Sequence, residues 1–230
     1  MKIIWLGHSS FRIEIEDQVL VIDPWFGANP SFQGHERATA ISGATHVLVS
    51  HAHNDHLTDA PDVAKELNIP MVGIYDLMQF IGAREGVQTI GFNKGGTVSL
   101  GTVKVTMVAA SHSSSVAGPN GPIYGGTESG FMIAGEGKTI YFSGDTDVMA
   151  DMAVFEALHH PDIGILSIGG HFTMDQHRAA YAAKTFFNFK TIIPCHYRTF
   201  PLLEQDAKAM AAALPQVDVI EPEVMQAIEL

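Results

Sequence analysis

Cysteine is almost absent from this chain of 230 residues. Cys195 is the only one, so no disulfide can form within the chain. Its scarcity agrees with a reducing compartment. Long apolar runs are also missing, since none approaches the ~20 residues that span a bilayer. The apolar stretch at residues 1–7 is too short for a signal peptide. We therefore expect a soluble, cytoplasmic protein without stable insertion into a membrane.

Basic residues are scarce as well. Thirteen Lys and Arg residues stand against 25 Asp and Glu residues, which gives a formal net charge of −12. A nucleic-acid binder would carry a basic surface, so we expect no nucleic-acid partner and favour a small-molecule substrate. The chain has no internal repeat, and its length predicts a single domain over residues 1–230. Association into a homo-oligomer is left open.

Short β-branched runs bounded by Gly, Asp or Pro indicate many strands. They lie at residues 3–6, 11–15, 18–22, 46–49, 71–74, 98–100, 103–109, 130–134, 139–142, 163–168, 191–194 and 217–220. Helical periodicity is found at residues 58–67, 75–82, 148–158, 175–187 and 202–214. Along the chain, a region rich in strands is followed by alternating strands and helices, and this order then occurs a second time. It predicts an α/β fold of two similar halves, stacked as a four-layer α/β/β/α sandwich.

Histidine is abundant, with 12 residues, and three of them fall in the segment His51-Ala52-His53-Asn54-Asp55-His56. Imidazole and carboxylate are the ligands that suit Zn, Mn, Fe and Ni. The segment follows the predicted strand at 46–49, and the ends of strands are where open α/β sheets place their sites. It therefore predicts a metal site.

Four more ligand-type side chains follow predicted strands in the same way: Asp23, His112, Asp145 and His196. One such placement is common, but its repetition along the chain indicates that these side chains meet at one edge of the fold. For Asp23 two interpretations stay open. It either orients a metal-bound histidine through a hydrogen bond or only turns the chain before Pro24.

With these residues the chain resembles the metallo-β-lactamase superfamily, whose pattern is H-x-H-x-D-H followed by a distant His, an Asp and a final His. The resemblance covers essentially the whole chain and implies an α/β/β/α sandwich with a dinuclear site. It implies that one ion is held by His51, His53 and His112 and the other by Asp55, His56 and His196, with Asp145 bridging them. A histidine at position 53 favours hydrolysis over oxidoreduction. Asp145 stands where some zinc β-lactamases have Cys, which argues against hydrolysis of antibiotics.

Four further segments look like the uncharacterised metal-dependent hydrolases related to ascorbate-6-phosphate lactonases, with a phospholipase D that acts on N-acylated phosphatidylethanolamine as a more distant relative. The segments are Gly7-His8-Ser9-Ser10-Phe11, Ser143-Gly144-Asp145-Thr146-Asp147, Gly169-Gly170-His171-Phe172-Thr173-Met174 and Pro194-Cys195-His196-Tyr197.

The predicted function is metal-dependent hydrolysis of a lactone, ester or related small molecule by a hydroxide activated between two divalent ions. Zn is the first choice, with Mn, Fe and Ni as alternatives. Asp55 is predicted to accept a hydrogen bond from the hydroxide or to help pass its proton, and His171 is the predicted proton donor or oxyanion stabiliser. A phosphodiesterase acting on a small phosphorylated substrate and a non-catalytic metal-binding module are the alternatives.

Four other features complete the prediction. His8 lies beside a glycine after a strand and could face the site. Arg198, next to His196, is the best single candidate for contacting an anionic group. Cys195 should point to the opposite side of its strand from His196, so neither a nucleophile nor a ligand is expected there. The segment at 111–128 fits neither helix nor strand, and we expect a site wall or lid.

Overall fold

The computed structural model describes residues 1–230, and its strands form two seven-stranded sheets and one separate hairpin. In chain order the strands are β1 (Lys2–Trp5), β2 (Phe11–Ile15), β3 (Gln18–Ile22), β4 (His46–Val49), β5 (Met71–Ile74), β6 (Thr89–Phe92), β7 (Thr97–Leu100), β8 (Val103–Ala109), β9 (Ser115–Gly118), β10 (Gly121–Tyr124), β11 (Ser129–Gly135), β12 (Lys138–Phe142), β13 (Ile163–Ser167), β14 (Thr191–Cys195), β15 (Asp218–Val219) and β16 (Ala227–Glu229).

The two large sheets share one design, antiparallel at one side and parallel at the other. The first runs β16-β1-β2-β3-β4-β5-β6, and its strands are parallel from β3 to β6. The second runs β15-β14-β13-β12-β11-β8-β7 and is parallel from β12 to β15. The central parallel strands β5, β13 and β14 are buried at every residue and rich in Val and Ile, as strands covered on both faces should be.

Seven α-helices lie on the outer faces. They are α1 (Arg37–Ile41), α2 (Asn54–Leu57), α3 (Ala60–Leu67), α4 (Tyr75–Glu85), α5 (Met152–His159), α6 (Gln176–Phe186) and α7 (Lys208–Ala213). Helices α3 and α4 pack on the first sheet, while α5, α6 and α7 belong to the second half. The predicted α/β/β/α architecture is confirmed. None of these helices has the length and hydropathy needed to cross a bilayer.

The inner faces of the sheets meet in one core. Along β2, Phe11, Ile13 and Ile15 are buried while the residues between them are half-exposed, which is the alternation of a strand with one face on the core. Phe11 meets Phe142 of the other sheet edge-to-face, with ring centroids 6.1 Å apart. The sheets therefore contact each other directly, and side-chain packing fixes their relative position.

At the end of the sandwich opposite the predicted ligands, two hairpin turns bind each other. Glu16, between β2 and β3, and Glu136, between β11 and β12, both have positive φ. The backbone N–H of Glu16 donates to the Glu136 carboxylate at 2.7 Å, and the N–H of Glu136 donates to the Glu16 carboxylate at 2.7 Å. This reciprocal pair connects the two sheets at their turns.

Several local predictions need correction. The segment at 111–128 contains the hairpin β9–β10, which pairs only with itself. The predicted helix at 202–214 is reduced to Lys208–Ala213, because the chain turns at 201–203 and stays irregular up to Asp206, whose carboxylate accepts the Lys208 N–H at 3.0 Å. Helices α1 and α2 and strands β6 and β16 were not predicted, since all four are short.

Candidate metal centre

The segment from His51 to His56 crosses from the end of a strand into a helix. It leaves the buried strand β4, and α2 then begins with His53 as its N-cap residue. His51 and His56 are completely buried, whereas His53 and Asp55 are partly open to solvent. The change from strand to helix turns all four side chains towards the same edge of the sheet.

Three other segments bring the remaining predicted ligands to this edge. His112 follows β8, Asp145 follows β12 and His196 follows β14. Asp145 Oδ2 lies at the centre, 3.1 Å from His196 Nε2, 3.4 Å from His56 Nε2, 3.6 Å from His112 Nε2 and 3.9 Å from His51 Nε2. The structure thus brings all seven predicted ligands together.

These side chains form two groups that share Asp145. In the first, His51 Nε2 lies 3.0 Å from His53 Nδ1, and the His112 ring is 5.3 Å from His51 and 5.1 Å from His53 between centroids. In the second, Asp55 Oδ2 lies 3.6 Å from His56 Nε2 and 3.7 Å from His196 Nε2. The ligand atoms within each group lie close enough to hold one ion.

Buried polar atoms that lack a hydrogen-bond partner indicate whether a cation fits this cluster. His56 Nε2 and Asp145 Oδ1 are buried and make no hydrogen bond, although buried polar atoms are normally paired. His56 Nδ1 lies 2.7 Å from Asp23 Oδ2, and a carboxylate only accepts, so the ring proton is on Nδ1. In the neutral ring, Nε2 then presents a lone pair towards two carboxylates, which suits a divalent cation.

Asp23 also orients a second ring, through Ser50. The Ser50 hydroxyl donates to Asp23 Oδ2 at 2.5 Å, so it accepts from His51 Nδ1 at 3.0 Å and leaves His51 Nε2 for a cation. Asp23 is fully buried, and its other oxygen accepts the Ser50 N–H at 2.7 Å. Of the two interpretations of Asp23, the hydrogen-bonding one agrees with these contacts. The roles of Ser50 were missed, although its position beside His51 was a signal.

The charges in the cluster shift its pKa values strongly. Burial alone would raise the pKa of Asp145, but the His196 and His56 rings hold it well below the usual range. Burial would lower the pKa of His196, but Asp145 and Asp55 raise it to about 9. The pKa of His56 is also raised well above its usual value, because three carboxylates outweigh burial. Without a cation, protons therefore balance the carboxylates at neutral pH.

Two cavities open at this cluster. One, of about 270 Å³, is lined by His53, Asp55, His112, Ser113, Asp145, Phe172 and His196. The other, of about 530 Å³, lies against the β9–β10 hairpin and is lined by His53, Asn54, Asp55, Ser115, Ala117, Gly118, Gly121 and Pro122. His53 and Asp55 line both, so the cavities adjoin, and neither lining includes Lys or Arg. The hairpin forms the wall expected from the segment at 111–128.

The hairpin is attached to the ligand segment at its base. Ser114 Oγ accepts the N–H of Ala52 at 3.2 Å and donates to the carbonyl of Gly125 at 3.2 Å. A Cβ atom on Gly125 would collide with the Cβ of Ala52. Ser113 Oγ lies 3.3 Å from His53 Nε2. The wall of the larger cavity is therefore held in register with the predicted ligands.

The other predicted residues lie outside this cluster or behind it. His171 is exposed and its ring contacts Phe172, which is the residue of that loop that lines the cavity. A catalytic role for His171 stays a prediction. Arg198 lines a different cavity, over the rings of Trp5 and Tyr197 and 3.8 Å from Glu223, so its predicted contact with a substrate anion at the metal site is wrong. Cys195 is buried, and burial raises its thiol pKa.

Comparison with known families gives one match over most of the chain. Residues 2–196 match the beta-lactamase superfamily domain. Among curated proteins, a UPF0173 metal-dependent hydrolase of Dinoroseobacter shibae is 64% identical over 230 residues, with both chains covered completely. A UPF0173 metal-dependent hydrolase of Paracoccus denitrificans is 61% identical over the same length, again with complete coverage.

Solved structures show the same architecture. A metallo hydrolase from the hyperthermophilic archaeon Ignicoccus hospitalis is 30% identical, with a TM-score of 0.84 over 100% of this chain and 98% of its own. A possible metal-dependent hydrolase from Veillonella parvula is 17% identical, with a TM-score of 0.76 over 100% and 99%. The second likeness concerns the fold alone.

Proposed function

Because this chain belongs to the beta-lactamase superfamily and is a metal-dependent hydrolase, we propose that it holds two divalent ions and hydrolyses an uncharged lactone, ester or related small molecule. The observation that carries the two-ion proposal is the central position of Asp145. Its Oδ2 atom lies within 4 Å of four imidazoles drawn from both groups. A carboxylate so placed suits a bridge between two ions.

The proposed ligands of the first ion are His51, His53 and His112, and those of the second are Asp55, His56 and His196. Zinc is the proposed metal, because it accepts imidazole and carboxylate in such sets, with Mn, Fe and Ni as alternatives. The ions supply Lewis acidity, which polarises a carbonyl oxygen and lowers the pKa of a coordinated water. The remaining tasks fall to the side chains of the protein.

Asp55 is the proposed proton acceptor during attack. Its side chain is 30% exposed and lines both cavities, whereas that of Asp145 is only 2% exposed. A general base must lie within hydrogen-bond reach of the proton that it abstracts, directly or through one water. Of the two carboxylates, Asp55 is the one more open to the cavities in which a substrate would bind. A role for His171 as proton donor is a separate proposal, tested by His171→Ala.

The linings of the two cavities support an uncharged substrate. They contain the carboxylates of Asp55 and Asp145 but no Lys or Arg, and proteins that bind phosphate groups usually supply such cations. A volume of about 530 Å³ lies in the range of small-molecule sites. The lactone chemistry suggested by the resemblance to ascorbate-6-phosphate lactonases belongs to this proposal, without the phosphate.

The experiment is a metal analysis of freshly purified protein, followed by a screen of uncharged lactones, esters and thioesters against phosphodiesters. We expect two equivalents of metal and turnover in the uncharged set, lost on chelation and restored by the measured metal. Turnover of phosphodiesters alone would contradict the substrate class. Arg198→Ala serves as the charge control, because Arg198 faces Glu223 rather than the metal cavities. It should leave kcat and KM within about twofold of wild type.

A further inference from the structure

His8 is a buried imidazole beside the proposed second ion and is not one of the seven predicted ligands, although its ring lies within 4.8 Å of the ligand atoms of Asp55, His56 and His196. It follows β1 in a left-handed conformation with φ of 54°, and only 1% of it is exposed. Its carbonyl accepts the N–H of His196 at 2.9 Å and the indole N–H of Trp5 at 2.8 Å. The backbone of His8 is thus fixed to the strand end that carries His196.

Both ring nitrogens of His8 have partners. Nε2 lies 3.0 Å from Asp55 Oδ2, and Nδ1 lies 2.9 Å from Thr199 Oγ1. A carboxylate only accepts, so Nε2 carries the proton and Nδ1 accepts from the Thr199 hydroxyl. The proton of that hydroxyl is shared with the Tyr197 carbonyl, 3.2 Å away. The Asp55 carboxylate therefore fixes the tautomer of His8, and Thr199 holds the other ring nitrogen.

The geometry separates His8 from the histidines that surround Asp145. The rings of His51, His56, His112 and His196 each approach Asp145 Oδ2 within 4 Å, and His8 does not. His8 instead approaches Asp55 Oδ2 more closely than His56 or His196 does, at 3.0 Å against 3.6 and 3.7 Å. His8, His56 and His196 thus approach the same carboxylate oxygen, and the contact of His8 is the one at hydrogen-bond distance.

We propose that His8, held through Nδ1 by Thr199, is the positioning residue that orients the Asp55 carboxylate towards the second ion. The inference rests on the two-ion function proposed above. Carboxylate ligands are commonly fixed by such outer partners, and losing one typically weakens metal affinity or activity about 10–100-fold. Asp55 is more exposed than the other ligands of its group, so it depends most on a partner of this kind.

The test compares three variants with wild type. His8→Phe keeps a ring between His196 and Trp25 but removes both hydrogen bonds. His8→Gln keeps an N–H donor that can reach Asp55. Both carry a Cβ at the same positive φ, so backbone strain is matched between them. Thr199→Val removes only the partner of Nδ1. Affinity is measured by titrating Co²⁺ into metal-free protein, with calorimetry and visible absorption as readouts and thermal unfolding as the folding control.

We expect His8→Phe to weaken one of the two metal equivalents about 10–100-fold and to leave the other unchanged. His8→Gln should recover most of the loss, and Thr199→Val should show a smaller loss in the same equivalent. Unchanged affinities in His8→Phe, equal weakening of both equivalents, or a His8→Gln variant as defective as His8→Phe would each overturn the inference.

A wild-type protein that binds only one ion would refute the two-ion function separately. The inference would then be decided by that ion alone. Weakening in His8→Phe with recovery in His8→Gln would support it, and any other result would overturn it. Because every readout is metal binding, the absence of a known substrate does not affect the outcome.

Discussion

Asp23 Oδ2 lies 2.7 Å from His56 Nδ1, with both side chains completely buried. The same oxygen accepts the hydroxyl of Ser50, which in turn contacts His51. One carboxylate therefore determines which nitrogen of two imidazoles faces the cavity. Asp23 stands at the end of β3, next to β4 in the sheet, so the parallel pairing of these strands creates the arrangement.

The first prediction concerns this carboxylate. Asp23→Asn replaces one acceptor oxygen with an amide NH₂ and removes the negative charge, so His56 and Ser50 can no longer both donate to the side chain. We expect metal affinity to fall about 10–100-fold. Metal retained after dialysis, measured by mass spectrometry, checks this. Asp17→Asn in the distant β2–β3 turn is the control, and equal metal retention in both variants would contradict the role of Asp23.

A second prediction concerns His53, a predicted ligand that lines both cavities. His53→Ala should reduce hydrolytic activity more than about 100-fold, beyond the loss typical of an outer partner, because a coordinating nitrogen is removed. The metal content of the same sample should fall as well. His177→Ala, exposed on α6, is the matched control. Full activity in a metal-quantified His53→Ala sample would refute the assignment of His53.

Metal binding should release protons, and the sign follows from the raised pKa values. His196, whose pKa is raised to about 9, and His56, whose pKa is also raised, hold protons at neutral pH when no ion is bound. An ion needs the neutral imidazoles, so binding at about pH 7 expels protons, and affinity increases with pH. Calorimetry in two buffers of different ionisation enthalpy measures the number released. The number of protons released should fall as the pH exceeds the pKa of His196. Metal binding without proton release at about pH 7 would contradict this account.

The wall of the larger cavity depends on the absence of a side chain at Gly125. A methyl group there would meet Ala52 between His51 and His53. We expect Gly125→Ala to cost about 1–3 kcal/mol of unfolding free energy, as overpacking does, and to displace the hairpin. Urea unfolding measures the cost. Gly27→Ala is the control, because its Cβ would meet nothing within 4 Å and the φ there is not positive. Equal stability of the two variants would show that the contact is easily relieved.

The position of the predicted ligands was readable from the sequence because each ligand segment begins within three residues of the end of a strand. A buried strand is visible as an apolar run, and the next polar residue must emerge at its end. The partnership of Asp23 with His56 was not readable in this way. It joins residues 33 positions apart, and only the pairing of β3 with β4 brings them together.

The hairpin and Arg198 show two other limits. Every residue of β10 is exposed, so no alternation of burial marks it as a strand. Arg198 follows His196 by two positions, which suggested a shared direction. In the structure both residues have positive φ, at 57° and 64°, and these two turns direct the guanidinium to the rings of Trp5 and Tyr197 instead. Single-residue changes of backbone direction are not encoded in hydrophobic periodicity.

The seven predicted ligands, Asp145 among them, come from different sheets. His51 to His56 follow the first sheet, while His112, Asp145 and His196 follow the second. Ions shared between them would cross-link the two sheets at one end of the sandwich, while Glu16 and Glu136 join the turns at the other end without any metal. Chelation would then remove the attachment at one end only. Local opening of the metal-free protein would begin at the cavities and leave the turn end closed.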